Sequence, residues 1–396
     1  MVNTMRKRSD GWLVAAALFG SAMFLAIILF ISPVFTPRSS ANILPEKPGW
    51  TSVPNSTLQR VCPPSTVGYE FPGFCRYVIS AWNSAIADTK RSRMVIWGGG
   101  HADYFGNEVY AFDLNSLQML RLNDPSPINN SGKCVETLSD GGPNSRHTYD
   151  SLAYLGSADR MFAFGGSLNS CGFFSNATWT LDLQTLQWKN MAPPGDTPSA
   201  LPGVVAEYDP NSRLVFLHDT VGFWQYDYDS NRYRKLAANE AINYHMSATI
   251  DPKRKTFLIF GAGGNGSGGG LKAISIAPGS DHSMKDWTGS AASTCGPLLS
   301  ASYPGVAYDP VLDRIVGWPN FGDTVYLFNP DTKSCTTQTF SGGPPDSTHQ
   351  GSAHTSNGTY GRFRYFPERG VFVLVNEASN NTYILRLNAA DSASAH

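Results

Sequence analysis

Three of the eight histidines and one tyrosine are the residues of this sequence best suited to proton-transfer chemistry. His101 and Tyr104 lie in the segment GGGHADYFGNE, whose glycines let the backbone approach a ligand closely. His147 and His245 each precede an apolar segment. Histidine titrates near neutral pH, and both residue types serve as acids and bases in enzymes. We interpret these four as candidate catalytic residues. The alternative is a structural hydrogen-bonding role for His147 and His245, and a blade-packing turn for the segment of His101.

A second group of side chains could hold a substrate. It combines arginines, which bind carboxylates, with asparagines and tyrosines, which hydrogen-bond polar ligands. The candidate substrate-binding residues are Arg146, Asn107, Tyr303, Asn320, Tyr360 and Arg362. For Arg362 the alternative is an ion pair between neighbouring units of the fold.

These candidates recur at similar places in a repeated strand pattern. Each copy has a small or aromatic residue, an apolar strand, a turn often of Asp-Pro type, a second apolar strand, a polar loop and an aromatic strand. Six copies begin at residues 80, 147, 203, 245, 303 and 360. Such Gly- and aromatic-rich units of three or four strands are typical of propeller blades. The sequence predicts an all-β, six-bladed propeller, with seven blades as the alternative if the long first unit conceals another.

The two ends of the repeated region are predicted to pair. The last copy closes at Leu387 with only three strands, and residues 50–53 precede the first copy. We expect these residues to supply the missing outer strand of the last blade. The predicted propeller domain is therefore 50–388, followed by a disordered tail at 389–396.

Three glycine-rich motifs resemble those of a known group of propellers. They are RMFAFGG at 160–166 with Trp179 and Trp188, RMVIWGGG at 93–100 with Tyr110, and FLIFGAGG at 257–264. The chain thus resembles the kelch-type propellers, including the central domain of galactose oxidase, over roughly residues 50–387. The resemblance implies the fold and leaves the function open, because kelch propellers include enzymes, glycan binders and protein scaffolds.

Propeller topology would bring the candidate residues to one end of the ring. The loops that open each blade and the loops between its second and third strands share one end, which we call the upper face. All the candidates above fall in these loops, as do Asp103, His218, Asp219, Tyr244 and Glu377. We therefore predict a ligand site at the mouth of the axis on the upper face.

The predicted function is carbohydrate recognition, with lyase chemistry as the most specific form. β-Elimination of an acidic polysaccharide needs a base, a proton donor and groups that stabilise a carboxylate as charge develops. Histidines, tyrosines, Arg146 and Arg362 offer these functions, and the arrangement resembles propeller-fold ulvan lyases. No cofactor is expected for this reaction.

Two alternatives belong to different classes. The first is a non-catalytic scaffold that binds glycans or a protein partner. The second is copper-radical oxidation of the galactose oxidase type, for which Tyr244 and His245 resemble an adjacent Tyr-His ligand pair and His147 or His354 is the second histidine. This resemblance lacks the extra domains of that family.

Composition excludes one class of partner. Lys plus Arg number 30 and Asp plus Glu number 31, so the chain has no net basic field for phosphate backbones. Nucleic acid is not an expected partner.

The N-terminal segment predicts a membrane anchor. Residues 1–10 include Arg6, Lys7 and Arg8, and the following uncharged stretch 11–37 contains an apolar core from Trp12 to Ile31 that is long enough to span a bilayer. The basic residues place the N-terminus in the cytoplasm and the propeller outside it, joined by a linker at 38–49. The alternative is a cleaved signal peptide and secretion.

Six cysteines fit an oxidising compartment. The short separation of Cys62 and Cys75 predicts a local disulfide bond. Cys134 and Cys171 both belong to upper-face loops and could pair, which leaves Cys295 with Cys335 by elimination.

Overall fold

The computed structural model describes residues 44–64, 75–100, 104–127, 134–169, 173–219, 221–263, 269–344 and 358–388, to which the structural statements below refer. The predicted anchor at 11–37, with its ends Trp12 and Ile31, and the predicted tail at 389–396 lie outside these ranges. Within them, no helix has the length and apolarity needed to cross a membrane.

Short strands dominate the described chain. The first ten are β1 (Gly49–Ser52), β2 (Ser84–Asp88), β3 (Arg93–Trp97), β4 (Tyr110–Asp113), β5 (Gln118–Arg121), β6 (Arg146–His147), β7 (Leu152–Leu155), β8 (Arg160–Leu168), β9 (Phe174–Asp182) and β10 (Trp188–Asn190). The next eight are β11 (Val205–Asp209), β12 (Leu214–His218), β13 (Gly222–Asp227), β14 (Arg232–Ala238), β15 (Ser247–Asp251), β16 (Thr256–Gly261), β17 (Gly270–Ser275) and β18 (Met284–Asp286). The last seven are β19 (Gly305–Asp309), β20 (Arg314–Trp318), β21 (Thr324–Asn329), β22 (Ser334–Thr339), β23 (Phe363–Phe366), β24 (Val371–Leu374) and β25 (Tyr383–Arg386). The helices are α1 (Tyr77–Ser80) and α2 (Thr288–Ser300), with 3-10 turns at Leu58–Val61 and Tyr360–Arg362.

The strands form six antiparallel sheets, which are the six blades of a propeller. Blades 1, 3, 4 and 5 are the consecutive groups β2–β5, β11–β14, β15–β18 and β19–β22. Blade 2 contains β7–β10, and β6 extends it by pairing with the far end of β8. The innermost strands β2, β7, β11, β15, β19 and β23 contact one another in order, and β23 contacts β2. The six-bladed prediction is confirmed, and the long first unit contributes β6 rather than a seventh blade.

Blade 6 is completed by the other end of the domain. Its order is β23, β24, β25 and β1, and β1 pairs with β25 so that Gly49 lies opposite Arg386 and Ser52 opposite Tyr383. The predicted closure by residues 50–53 is confirmed. A ring closed in this way leaves no blade with an unpaired fourth position.

Apolar side chains between neighbouring blades form the core. One cluster joins Ile86 and Trp97 of blade 1 to Leu152 and Met161 of blade 2, and the other blade pairs enclose corresponding clusters. Because each cluster is shared by two blades, a blade buries its apolar faces only within the ring.

Aspartates determine the turn between the first two strands of a blade. Asp251 accepts the backbone N–H groups of Lys253 and Arg254, each at 3.0 Å. Asp209 and Asp309 accept backbone N–H groups two and three residues on in the same way. Carboxylates that bond their own following backbone favour tight turns, so the Asp-type turns that the repeat predicts are present at this end of the blades, which we call the lower face.

Two predicted disulfide bonds are present. Cys62 is bonded to Cys75, and Cys295 of α2 is bonded to Cys335 of β22. The predicted pair of Cys134 with Cys171 involves a residue outside the described ranges.

Candidate functional site

At the upper end of the axis, one residue marks the opening of each blade, shortly before the inner strand of that blade begins. In blade order these blade-opening residues are Trp82, Tyr149, Gly203, His245, Tyr303 and Tyr360. Five of the six carry a ring. The strand order therefore concentrates aromatic and imidazole groups at one mouth of the propeller.

These rings and two neighbours form a continuous cluster. The axial aromatic cluster consists of Trp82, His147, Tyr149, Tyr244, His245, Tyr303 and Tyr360, whose successive ring centroids lie between 3.8 and 6.4 Å apart. Tyr149 of blade 2 contacts both Tyr244, which directly precedes the opening residue of blade 4, and Tyr360, which opens blade 6. Contacts between non-adjacent blades show that the cluster crosses the axis. Tyr244 is 43% exposed, so it presents a ring to solvent.

The backbone at this mouth is strained. Trp82, Tyr149, Tyr303 and Tyr360 have φ of 53°, 48°, 57° and 47°. Bulky residues rarely adopt this left-handed conformation, which costs about 1–3 kcal/mol and occurs most often at functional sites. Backbone bonds between blades hold it: Tyr149 donates to the Trp82 carbonyl at 2.7 Å, and Tyr303 donates to the His245 carbonyl at 2.7 Å.

Gly203, the blade-opening residue of blade 3, allows Tyr244 to approach the axis. Gly203 has φ of +77°, and a Cβ atom there would lie 2.1 Å from the Cα atom of Tyr244. Any other residue at 203 would have to displace the backbone and Cβ atom of Tyr244. Glycine is therefore required at this opening because the main chain of Tyr244 occupies the space.

His245 is the most chemically distinctive member of the cluster. Its ring lies 3.8 Å from the Tyr244 ring and 4.5 Å from the Tyr303 ring, and the residue is 7% exposed. Nδ1 is buried and has no hydrogen-bond partner among the described residues. Burial lowers the pKa of His245 to about 4, so the imidazole is neutral at pH 7 and can accept a proton.

The neighbouring tyrosines stay protonated. Burial raises the pKa of Tyr303, and burial together with Tyr303, Tyr149 and Asp150 raises that of Tyr360. The Tyr360 hydroxyl donates to the Tyr244 carbonyl at 3.3 Å and is buried, whereas Tyr303 is half-buried at the mouth. Tyr303 is therefore the tyrosine beside His245 that is better placed to donate a proton to a ligand.

His147 also belongs to the cluster but lies deeper. It is 4% exposed and its ring lies 5.1 Å from the ring of Trp82. His101, which the sequence places in the loop between β3 and β4, lies outside the described residues, so its relation to the cluster stays a prediction.

Tyr104 is buried below the surface of blade 1. Its hydroxyl donates to Oε1 of Glu108 at 2.6 Å, and Tyr110 donates to the same atom at 2.6 Å. Burial raises the pKa of Tyr104 above its ordinary range and also raises that of Glu108. The structure thus places Tyr104 in an internal hydrogen-bonded group, away from the axial aromatic cluster.

The two candidate arginines are part of the framework. Arg146 is 1% exposed and pairs with Glu136 at 2.8 Å. The buried guanidinium of Arg362 donates to the carbonyls of Asn83, Val375 and Gly358. Burial lowers the pKa of Arg362 to about 9. Arg362 bridges blade 6 to blade 1, as its structural alternative predicted, although through carbonyl groups rather than a carboxylate.

The candidate asparagines separate in the same way. Asn107 is 3% exposed and bonds Ser126 and the Pro143 carbonyl in the segment between β5 and β6. Asn320 is half-buried and accepts from Thr359 at 2.7 Å and from Asn376 at 2.9 Å. Asn320 and Asn376 therefore form an amide pair beside the opening of blade 6. Glu377 follows this pair, and burial raises its pKa.

Sequence reasoning missed Trp82 and Tyr149 as site residues. Both occupy the blade-opening position, just before the inner strands β2 and β7. An alignment of the six copies on that position would have found them, because four copies carry Trp or Tyr there.

The described residues contain no group of three or more His, Cys, Asp or Glu side chains that could hold a metal ion. His354, one of the possible copper ligands, lies outside them. A copper site with Tyr244, His245 and His147 or His354 as ligands therefore stays a prediction.

No protein-family model matches the chain, and no curated protein matches it. The kelch resemblance consequently remains a prediction from the glycine-rich motifs, and the structure establishes a six-bladed β-propeller.

Proposed function

We propose that this propeller binds carbohydrate at its upper mouth. The observation that carries the proposal is the axial aromatic cluster, in which rings that open five different blades meet and Tyr244 remains exposed. Sugar rings have apolar C–H faces that pack on aromatic rings, and polar groups around such a surface bond the hydroxyls. The amides of Asn320 and Asn376 can take that second role.

A paired substitution tests the proposal. We expect Tyr244→Leu to weaken glycan binding by about tenfold, because stacking and edge contacts of one aromatic ring are worth roughly 1 kcal/mol or more. Binding of the full chain would be screened on a glycan array and measured by calorimetry. Tyr208→Leu, at the opposite end of the axis, is the control and should retain affinity. Loss in both variants, or in neither, contradicts an upper-face site.

A second candidate is elimination on an acidic polysaccharide, for which His245 supplies a neutral imidazole at the mouth, although its lowered pKa makes it a weak base. The neutral imidazole would take the proton α to the uronate carboxylate, the new C=C bond would form, and the C–O bond to the leaving sugar would break. Tyr303 would protonate the leaving oxygen. Because Arg146 and Arg362 use their donors inside the fold, carboxylate stabilisation falls to neutral donors or to groups such as His101 outside the described residues.

Ultraviolet absorbance of unsaturated products distinguishes lyase from binding protein. We expect activity on a uronate panel to fall at least about 100-fold in His245→Gln and in Tyr303→Phe. His147→Ala and His101→Ala test the other two histidines. Glycan binding without turnover would support the non-catalytic scaffold. A protein partner that sugar displaces would show that the same mouth binds a protein instead.

Membrane anchoring by the 12–31 segment is also proposed on the sequence alone. The full chain should sediment with membranes and resist release by salt. Recovery of a mature protein trimmed near Ala41 would instead establish a cleaved signal peptide.

A further inference from the structure

The opposite mouth of the axis contains a cavity of about 300 Å³. It is lined by all six blades, and we call it the lower mouth. Four tyrosines line it, and each lies five residues after the opening residue of its blade: Tyr154, Tyr208, Tyr308 and Tyr365. The same strands that carry the upper cluster thus deliver a second aromatic set to the other end.

Charged groups lie at the inner end of this cavity. Arg364 and Glu207 line it and form an ion pair with each other. Asp150 lies beside this pair, where its carboxylate accepts from Ser84 at 3.2 Å and from the Ala248 N–H at 2.7 Å. Two carboxylates and one guanidinium leave excess negative charge at neutral pH. A cation in the cavity would be attracted by that charge.

The tyrosine hydroxyls are directed to partners at the rim. Tyr308 donates to Asp313 at 3.0 Å, Tyr208 donates to Ser157 at 3.0 Å, and Tyr365 hydrogen-bonds Asp309. A phenol that donates to a carboxylate has a more electron-rich ring. Two such rings, Tyr308 and Tyr365, line the cavity together with Tyr154 and Tyr208, and aromatic rings around one cavity form the arrangement that recognises ammonium groups.

We propose that the lower mouth binds a small organic ammonium cation, of the quaternary or alkylated type. This site is separate from the carbohydrate site, because it lies at the other end of the inner strands and shares no residue with the axial aromatic cluster. The ring faces would surround the alkyl groups, and the charge of the Asp150, Glu207 and Arg364 group would favour the cation.

Choline and 3,3-dimethyl-1-butanol form the decisive pair of probes. They have nearly the same shape, and only choline is charged. Calorimetry on the full chain should show choline binding at least about tenfold tighter than its neutral isostere. Tyr208→Leu and Tyr308→Leu should each weaken choline about two- to fivefold, as expected for one cation–π contact. Tyr244→Leu, at the upper mouth, should have no effect.

Two results would overturn the proposal. Equal affinity for choline and the alcohol would show an apolar cavity without cation selectivity, and absence of choline binding at millimolar concentrations would show no site. Should a leucine variant fail to fold, the two probes on the unmodified protein still decide, because their comparison needs no substitution.

Discussion

The upper and lower mouths of the axis are built from the same six strands, yet they use aromatic residues differently. At the upper mouth, the rings contact one another across the axis, and four of them have left-handed backbone. At the lower mouth, the tyrosines line an open cavity and direct their hydroxyls to rim groups, with Asp-capped turns beside them. Hairpin turns constrain the lower end of every blade, whereas the upper loops differ in length and composition. Left-handed residues such as Asp159, Lys255 and Asp313 also occur in the lower turns, so the two ends differ in loop variability rather than in backbone strain.

The largest effect should come from closing the space beside Tyr244. Gly203→Ala should reduce the free energy of unfolding by about 3 kcal/mol, because the added Cβ atom meets Tyr244 in a left-handed backbone. Gly195→Ala is the matched control, since Gly195 has φ of +86° with nothing within 4 Å of its Cβ position. It should lose only about 1 kcal/mol. Denaturant titration measures the free energy of unfolding of both variants. Equal losses would show that the left-handed backbone alone, and not contact with Tyr244, disfavours alanine at position 203.

Asp150, between the two mouths, should make the protein more stable in mild acid. Burial raises the pKa of Asp150 from 3.8 to about 6, so the folded state holds its proton more tightly than the unfolded chain. Stability attributable to this residue should rise by about 3 kcal/mol as pH falls from 7 to below 4. The measurement is the difference in unfolding free energy between the wild type and Asp150→Asn across this range. A constant difference would contradict the raised pKa.

His245, at the upper mouth, should make the protein less stable as the pH falls, which is the opposite of the effect of Asp150. Its pKa falls from 6.5 to about 4 on folding, so the unfolded chain takes up a proton that the folded protein excludes. The wild type should lose on the order of 2 kcal/mol relative to His245→Gln between pH 6.5 and 4. Above about pH 7.5, where the unfolded histidine is also neutral, the difference between the two proteins should be independent of pH. A slope there would indicate a different titrating group.

Ion pairing at the lower face should give a smaller effect. Arg254 contacts Asp251 and Asp313 at 2.8 Å and Asp331 at 2.7 Å, and its side chain is 19% exposed. Arg254→Ala should reduce the free energy of unfolding by about 2 kcal/mol, because the buried Asp251 loses its cation. Arg213→Ala removes an exposed pair with Asp229 at 3.4 Å and should change stability by less than about 0.5 kcal/mol. Thermal unfolding compares the two variants. Similar losses of stability would show that the ion-pair network of Arg254 does not stabilise the fold.

The repeat pattern predicted the fold well because its signals are local. Strand alternation, Asp-centred turns and glycines at strand ends recur within each copy, and they suffice for six blades and for closure by residues 50–53. The candidate site was predicted only in part. Tyr104 and Arg146 have the right residue types at the right end, but their burial depends on partners in three dimensions.

Arg362 shows why such partners escape sequence reasoning. Its guanidinium bonds the Asn83 carbonyl, 279 residues away in the chain. No spacing rule connects the two positions. The tyrosines of the lower mouth were missed for a related reason. Each is an ordinary strand residue within its own copy of the repeat, and they form a group only because the circle of blades places them around one cavity.

The pairing of β1 with β25 has a mechanical consequence. The strands are antiparallel, so Gly49, where the chain enters the propeller, lies opposite Arg386, where it leaves. A pulling force applied between the two termini would break these hydrogen bonds one after another, as in unzipping, rather than loading them together in shear. Tension on the N-terminal segment would therefore detach β1 first and open blade 6 before any other blade, which makes this strand the release point of the ring under load.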